Sequence, residues 1–367
     1  MMTTNNDLPY EAWTVALMTL PKMGPVRLQQ LLDQDDAESV WRKLQTGQPV
    51  SVDRVTSEIV DDWRSKARAM SVPEYWASVE ALGVQTAELG TTTYPERLTD
   101  DIEPPQMVFS LGQSMPTGPT VGIVGTRQCS SYGKRCAFEI GAALANAGVA
   151  VVSGLALGID AQAHHGALSA TSNRAGRPVG VVGSGLDIVY PRANAKLWSQ
   201  VASAGTLMSE TPPGVGPERW RFPARNRIIA GLSDAIVVVE SHEKGGSLLT
   251  VDEAQLRDIP VGAVPGPITS NSATGTNRLL ADGAVPVLGV DDVLAMIGHT
   301  TPRVVVDVSD PDAVSSAVLD VMGWTAQTHE QLCNQLDMPA ALVASEVERL
   351  LVFGLCKRSG PWIERVV

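Results

Sequence analysis

The segment ERWRFPARNR carries four arginines within nine residues: Arg219, Arg221, Arg225 and Arg227. Guanidinium groups bind phosphate oxygens through paired hydrogen bonds, so a block of this density is typical of a phosphate-binding surface. Phe222 lies in the middle of the block and is one of only four phenylalanines in the chain. These residue types and their spacing predict a site for a phosphate-rich ligand.

The chain as a whole is acidic. Its 40 acidic and 28 basic side chains leave a formal net charge of −12 at pH 7. Such a protein is not expected to coat duplex DNA over its whole surface. Charges more than about 10 Å apart are largely screened at 0.1 M salt, so a clustered basic patch still acts at short range. The sequence therefore favours one local site over a generally basic protein.

Length and composition are those of an ordinary globular protein. A chain of 367 residues with 44% hydrophobic side chains is long enough for two or three domains. The stretch MMTTNNDLPYEAW lacks the basic and apolar regions of a signal peptide, and apolar runs such as residues 235–239 are too short to span a membrane. A cytoplasmic protein without membrane association is expected.

Cysteines offer no metal site or disulfide framework in this sequence. The four form no CxxC pair and have no histidine partners at metal-ligand spacing: Cys129, Cys136, Cys333 and Cys356. They are expected to be small core residues. No metal and no other cofactor is predicted.

The elements that must position the arginine block begin at Thr120. Short apolar runs, among them VGIVG, VAVVSG, VGVVGSG and AIVVVE, alternate with segments long enough for helices. This alternation is typical of an α/β fold with a doubly wound, mostly parallel sheet covered by helices on both faces. Nearly every run ends in Gly or Ser, so small residues line the carboxyl edge of the sheet, where a ligand can approach the backbone.

The loops at this edge have the features of phosphate cradles. After the first strand, Arg127 stands at the sheet edge and Ser130 or Ser131 can cap the next helix, whose first N–H groups attract anions. Neither a GK[ST] loop nor a GxGxxG fingerprint is present, so Walker-type ATP hydrolysis and ordinary NAD binding lose support. The predicted cradle residues are Gly125, Thr126, Ser153, Gly154, Gly183, Ser184, Gly185, Gly245, Gly246 and Ser247.

The second of these loops leads into a helix that carries Asp160 and His164, four residues apart and therefore on one helix face. One interpretation is an acid/base pair. The other is structural, with Asp160 capping the glycine loop at the positive end of the helix and His164 in a local hydrogen bond. Neither a nucleophile nor a metal triad accompanies the pair, so the structural interpretation is favoured.

Other segments flank the predicted sheet. Residues 1–90 are predicted to form a helical domain, in which YEAWTVALMTL and PVRLQQLLDQ make a hairpin around PKMG. Residues 91–298 are predicted to form the domain that contains the sheet, and residues 299–310 a linker. Residues 311–367 contain three helix-length segments and a hairpin pattern, the composition of a winged helix.

A DNA-reading role for the predicted winged helix is not favoured. Its third helix carries Glu346, Glu348 and only Arg349 as charges, whereas a helix that enters a DNA groove is expected to be basic. Only Lys357 and Arg358, in the hairpin, support DNA contact. A role in protein contacts or packing is therefore preferred.

Several motifs along residues 120–284 occur in an order that resembles the bacterial DNA-processing protein A family, also called Smf. They are VGIVGTR, VVSGLALGIDAQAHHGAL, GSGLDIVYPRAN, MSETPPG, FPARNRIIAGLSDAIVVVES, GGSLLT, VPGPI and GTNRLLADGA. Two stretches depart from the family pattern. DIPV follows TVDEAQLR where a Gly-Arg is usual, and SATSNRAGRP lengthens the loop before VGVVGSG. Neither lies in the predicted site.

This resemblance implies an extended Rossmann-like domain that binds single-stranded DNA, forms a homodimer and helps load the RecA recombinase onto incoming strands during natural transformation. It also implies a SAM-like or helix-hairpin-helix-like N-terminal domain and a winged-helix-like C-terminal domain. No catalytic residue is expected. The residues that match the family's DNA-binding positions are Arg127, Phe222, Arg225, Asn226 and Arg227, with Arg219 as a weaker correspondence.

Three alternatives remain open at this point. First, the arginines could form ion pairs with the many acids, above all Arg227, because one arginine of RNRIIAGL can face the sheet. Second, EKGGSLLT somewhat resembles the phosphate loop of nucleotide phosphoribohydrolases, with Glu253 as a possible catalytic glutamate, although the second glycine of that loop is missing after Ser247. The third is a nucleotide-sensing adaptor on the same fold.

Overall fold

The structure is a computed structural model that describes residues 8–172, 175–299, 311–322 and 326–366. The contacts divide the chain into two compact units, Met1–Gly298 and His299–Val367. The predicted boundary at residue 90 falls inside the first unit and stays a prediction. Apart from His299, the predicted linker lies outside the described residues.

Five helices open the first unit, and their ends follow from ordinary capping. Asp36 and Thr56 each accept a hydrogen bond from the backbone N–H three residues on, and Gly47 ends the third helix in the left-handed conformation. Trp41 and Trp63 are fully buried between the helices. The helices are α1 (Tyr10–Met18), α2 (Pro25–Leu32), α3 (Ala37–Thr46), α4 (Ser57–Ala69) and α5 (Val72–Ala81).

A nine-stranded sheet follows, in the order β1-β2-β6-β5-β4-β3-β7-β8-β9. In this spatial order, all neighbouring strands between β6 and β9 pair in parallel. β2 pairs with β1 and with β6 in the antiparallel sense. The strands are β1 (Gln85–Glu88), β2 (Met107–Gly112), β3 (Thr120–Val124), β4 (Ala150–Ser153), β5 (Val179–Val182), β6 (Thr206–Ser209), β7 (Ala235–Val238), β8 (Val261–Ala263) and β9 (Val285–Pro286). β1 was not expected, because its residues belong to a segment predicted to be helical.

Helices cover both faces of the sheet. The apolar side chains of α7, α8 and α13 pack on one face and those of α10 and α11 on the other, while α1 to α5 pack with β2 and α9. The helices of the first unit that follow α5 are α6 (Glu96–Thr99), α7 (Ser131–Asn146), α8 (Ile159–Leu168), α9 (Ala195–Ala204), α10 (Arg221–Gly231), α11 (Leu248–Gln255), α12 (Thr274–Ala281) and α13 (Val290–Met296). The prediction of a doubly wound, mostly parallel sheet is confirmed.

The topology defines where a site can lie. From β3 the chain adds strands outward to β6 on one side, and from β7 to β9 it continues on the other. The loops that follow β3 and β7 therefore leave the sheet in opposite directions. In open α/β sheets such a switch point forms a crevice at the carboxyl ends of the strands.

The second unit has its own core, which includes Val318, Leu332, Val343 and Val347. It contains α14 (Pro311–Met322), α15 (His329–Gln335), α16 (Ala340–Val352), β10 (Gln327–Thr328), β11 (Cys356–Ser359) and β12 (Trp362–Arg365). The strands form an antiparallel sheet in the order β10-β12-β11. This arrangement is consistent with the predicted winged helix.

Lys357 and Arg358, the hairpin residues considered for DNA contact, are each paired with an acid. Lys357 lies 2.9 Å from Glu364, and Arg358 lies 2.6 Å from Glu348.

The four cysteines carry free thiols, with Cys356 buried and the others half-buried. Within the described ranges, no helix has both the length and the apolar character needed to cross a bilayer.

Candidate nucleic-acid interface

Arg127 and Phe222 meet at the carboxyl edge of the sheet. The guanidinium carbon of Arg127 lies 5.4 Å from the centre of the Phe222 ring. The ring of Tyr190, from the loop after β5, has its centre 5.4 Å from that of Phe222 at an interplanar angle of 36°. Arg127 and Tyr190 are exposed, and Phe222 is half-buried. Three separate segments thus build a surface of one cation and two aromatic rings.

The first turn of α10 lies close to the end of β5. Pro223 is tolerated there because the first N–H groups of a helix have no partner within the helix. At the end of β5, a Cβ atom built on Gly183 would lie 3.4 Å from the Phe222 ring and from the carbonyl oxygen of Arg221. A small side chain at position 183 would therefore make only an ordinary van der Waals contact with the start of α10.

Arg225 lies beneath this surface rather than on it. Its side chain is 7% exposed, and its guanidinium donates to the carbonyl oxygen of Val181. The guanidinium also lies against Gly154, where any side chain would overlap with it. Burial lowers the pKa of Arg225 to about 10, with the carboxylate of Asp160 opposing that shift and Arg127 adding to it. Arg225 is therefore a buried cation at neutral pH.

The pair Asp160 and His164 is also internal. Asp160 accepts hydrogen bonds from the N–H groups of Gly154 at 3.1 Å and Ala156 at 3.4 Å, so it caps the glycine loop as the structural interpretation predicts. His164 is fully buried, and burial lowers its pKa to about 4. The local hydrogen bond predicted for His164 is not seen, because neither ring nitrogen has a hydrogen-bond partner among the described residues. A neutral, enclosed imidazole does not reach a ligand at the sheet edge.

Arg227 faces the interior of the unit. It is 3% exposed, lies 2.5 Å from Glu210, and donates to the carbonyl oxygen of Glu103 at 2.8 Å. This is the inward orientation that the ion-pair alternative describes for Arg227. Its neighbour Asn226 is 9% exposed on the same helix. The structure places both away from the exposed part of the Arg127–Phe222 surface.

The first two arginines of the block differ in exposure. Arg221 is 7% exposed, forms an ion pair with Glu218 at 3.0 Å, and lies 4.4 Å from the ring centre of Trp220. Arg219 is exposed and has no hydrogen bond or ion pair with any residue that the structure describes. Of the four arginines in the block, Arg219 is thus the one available to solvent.

The helical N-terminal segment also reaches this edge. A Cβ atom built on Gly24, in the PKMG turn, would lie 3.6 Å from the Trp220 ring. Met23, Pro25 and Leu28 join Trp220 in lining a pocket at the carboxyl ends of β5 and β6. The turn packs against the sheet domain beside the arginine block.

The predicted phosphate cradles are largely closed by internal hydrogen bonds, which corrects the prediction for these loops. The N–H of Gly154 is bound by Asp160, and those of Thr126, Gly185 and Gly245 donate to carbonyl oxygens at 2.8, 2.9 and 3.0 Å. The hydroxyl groups are engaged as well, since Ser153, Ser184 and Ser247 donate to Ile123, Ile188 and Ser241.

Two further glycines in these loops, Gly125 and Gly246, differ in their surroundings. At Gly125 a Cβ atom would lie 2.6 Å from Ile159, so that position needs a glycine for close packing. Gly246 is exposed, with nothing within 4 Å of a built Cβ atom. Most of the small residues at the sheet edge therefore serve tight packing of the protein itself.

Glu253, the catalytic glutamate of the enzyme alternative, forms an ion pair with a neighbouring arginine. Glu253 lies 2.6 Å from Arg257, which also forms a buried ion pair with Asp101 at 2.7 Å. Hydrogen bonds to Asp101 and Glu253 raise the pKa of Arg257 against the effect of burial. A carboxylate held in such a network is a structural group.

Sequence reasoning missed two residues of this edge. Tyr190 was part of a family motif, but nothing in its spacing marked it as a partner of Phe222. Glu240 ends the apolar run of β7, and its carboxylate binds Ser130 at the start of α7. An acid directly after a buried strand was a signal that could have been used for Glu240.

Known proteins share this architecture. The model of the DNA recombination-mediator protein A family matches residues 85–298. The protein Smf of Synechocystis is 33% identical over 297 residues, which cover 78% of this chain and 73% of that protein. The DNA processing protein DprA of Bacillus subtilis is 36% identical over 224 residues, covering 60% of this chain and 74% of that protein.

Solved structures of DNA processing protein A from two bacteria have a similar fold. The X-ray structure of DNA processing protein A from Streptococcus pneumoniae matches with a TM-score of 0.61 and 28% identity over 80% of this chain and 98% of that one. That of Helicobacter pylori, described for its single-stranded DNA binding mode, matches with a TM-score of 0.51 and 28% identity over 58% and 95%. The resemblance seen in the motifs is confirmed, and the chain belongs to the DNA recombination-mediator protein A family.

Proposed function

We propose that this protein binds single-stranded DNA at the Arg127–Phe222 surface and performs no covalent chemistry there. The observation that carries the proposal is the placement of the Arg127 guanidinium 5.4 Å from the centre of the Phe222 ring, beside the exposed ring of Tyr190. Aromatic rings that stack on bases contribute about 1 to 3 kcal/mol per base. A base inside a duplex offers no free face, so this surface favours unpaired strands.

The phosphates are assigned to the exposed cations. Arg127 and Arg219 are exposed and not bound to acids among the described residues, so each can pair with a backbone phosphate. Arg225 supports the site from below through its positive charge. Arg227 holds α10 in place through Glu210 and Glu103 rather than contacting DNA, and Asn226 is buried beside it. Two phosphate contacts give a slope of about −1.4 for log affinity against log salt on single strands.

The wider role is proposed from family membership. As a recombination-mediator protein, this chain is proposed to act as a homodimer in the cytoplasm and to help load the RecA recombinase onto single strands during natural transformation. The relatives named DNA processing protein, and the Helicobacter pylori structure described for single-stranded DNA binding, support a role on DNA. The match over residues 85–298 supports the sheet domain as the part of the chain that would carry this role.

The test is a titration of labelled oligonucleotides, single- and double-stranded, at two salt concentrations, followed by fluorescence anisotropy. Phe222→Ala is expected to lower single-strand affinity about 5- to 150-fold, the equivalent of 1 to 3 kcal/mol. Arg127→Ala is expected to weaken binding and to reduce the salt slope by about 0.7.

Arg42→Ala is a matched control. Arg42, on α3, is also exposed, and its guanidinium carbon lies 5.5 Å from the centre of the Trp13 ring on α1. It is expected to bind like the wild type. If folded Phe222→Ala and Arg127→Ala variants bind single strands as well as the wild type does, the site assignment is wrong.

A further inference from the structure

A carboxylate of the protein itself occupies the N-terminus of α7, at the switch point between β3 and β7. Glu240 follows β7 and is 3% exposed. One of its carboxylate oxygens accepts a hydrogen bond from the backbone N–H of Ser130 at 2.8 Å. The other accepts from the hydroxyl groups of Ser130 at 2.6 Å and Ser272 at 3.2 Å. Three donors from two segments thus enclose one anionic group.

The first turn of α7 is shaped around this carboxylate. Ser130 caps the helix by accepting the N–H of Gly133 at 3.1 Å while its hydroxyl donates to Glu240. A side chain at Gly133 would overlap with the Glu240 carboxylate, so the carboxylate could not approach a larger residue. The backbone of Glu240 also accepts a hydrogen bond from the N–H of Thr126 at 2.8 Å. The position is therefore specific to an anion held close to the backbone.

This place in an α/β sheet is where phosphate groups of ligands commonly bind. Free N–H groups and the helix dipole favour an anion at the helix start, and the switch point opens a crevice beside it. The Glu240 side chain has four heavy atoms beyond its Cβ atom, close to the five of a phosphate ion. It therefore provides the charge and much of the volume that a bound phosphate would provide.

We propose that Glu240 is a specificity-determining residue, which closes the switch-point site to inorganic phosphate and to the phosphate of free nucleotides. A second anion at the start of α7 would meet both the volume and the negative charge of the carboxylate. The proposal goes beyond DNA binding and does not depend on it, because Glu240, Ser130 and Ser272 are not part of the Arg127–Phe222 surface.

The experiment removes the resident anion and offers an external one. Wild type, Glu240→Ala and Glu240→Ser are titrated with inorganic phosphate and with AMP by isothermal calorimetry, and thermal unfolding is followed in phosphate and in sodium chloride of equal ionic strength. The control is Glu243→Ala, because Glu243 is exposed in the same loop. The Glu240 variants are expected to unfold at a lower temperature than wild type in chloride.

Phosphate is expected to bind the Glu240 variants saturably and to raise their unfolding temperature. With half-saturation at about 1 mM, 20 mM phosphate raises the midpoint by roughly 3 to 6 °C. Wild type and Glu243→Ala are expected to show neither effect. Glu240→Ser, which keeps one hydroxyl near the donors, serves if Glu240→Ala does not fold.

Two results would overturn the proposal. One is saturable binding of phosphate or AMP by the wild type with a dissociation constant near that of the variants. The other is a folded Glu240→Ala or Glu240→Ser variant that binds no phosphate. The wild-type titration gives its answer whether or not the variants fold.

Discussion

The buried Arg227 and the half-buried Glu210 form an ion pair with 2.5 Å between guanidinium nitrogen and carboxylate oxygen, which ties α10 to the end of β6. Burial raises the pKa of Glu210, and the positive charge of Arg227 opposes that shift. Arg219, eight residues earlier, is exposed. One basic segment thus contains residues that hold a helix in place and a residue that faces solvent.

Removal of Arg227 is expected to affect stability first. Arg227→Ala leaves the half-buried Glu210 carboxylate without its partner, which is expected to lower the unfolding free energy by about 1 to 3 kcal/mol. Urea denaturation measures the loss. Arg219→Ala is the matched control and is expected to change stability by less than about 0.5 kcal/mol while weakening DNA binding. A stable Arg227→Ala protein that has lost DNA binding would instead make Arg227 a DNA contact.

The contact between Gly154 and Arg225 predicts a steric effect. Gly154→Ala places a methyl group on the Arg225 guanidinium and is expected to cost about 1 to 3 kcal/mol, as other overpacked cores do. Gly246→Ala, in a loop at the same edge, has nothing within 4 Å of the new atom and is expected to be neutral. Thermal unfolding of the two variants checks the difference. Equal stabilities would show that Arg225 can move aside.

His164 predicts a loss of stability in mild acid. Burial lowers its pKa in the folded protein to about 4, below the usual 6.5 of histidine, so the unfolded chain binds the proton first as pH falls. Stability from this group is therefore complete at pH 7.5 and decreases between pH 6.5 and 4, by about 2 kcal/mol at pH 5. Urea denaturation at pH 7.5 and 5 measures it. His164→Leu is expected to lack this part of the pH dependence, and an unchanged pH dependence would contradict the assignment.

Tyr190 is expected to support the base platform. Tyr190→Ala removes the ring beside Phe222 and is expected to weaken single-strand binding by about 1 kcal/mol, roughly fivefold, whereas Tyr190→Phe keeps the ring and the affinity. Anisotropy titrations of the two variants test this directly. If Tyr190→Phe loses as much as Tyr190→Ala, the hydroxyl rather than the ring makes the contact.

The enzyme alternative predicts that the protein releases free base from nucleoside monophosphates. The ion pair between Glu253 and Arg257 argues against this reaction. Incubation with nucleoside monophosphates is expected to release no free base from wild type or Glu253→Gln, as measured by chromatography. Glu253→Gln is expected only to lower stability, because it weakens the pair with Arg257. Base release that depends on Glu253 would reverse the ranking of the two functions.

The sequence by itself determined the architecture and the family. Strands such as β4 are buried along their whole length, so apolar runs without alternation identified a parallel sheet and the helices between them. The edge strand β1 was missed, because Gln85–Glu88 is short and only partly buried and so carries no apolar run. The family motifs brought Arg127 and Phe222 into one predicted site, although 95 positions separate them along the chain.

Only the tertiary structure decided which of the charged residues face solvent. Arg221, Arg225 and Arg227 carry the same charge as Arg219, but all three are buried. The reason is that α10 is enclosed by the sheet and by the segments packed around it, so that every residue from 225 to 230 is buried. The same holds for the helix start at Ser130, whose free N–H groups predicted a phosphate site. Glu240 fills it from the loop after β7, 110 residues along the chain, a long-range contact that no local pattern contains.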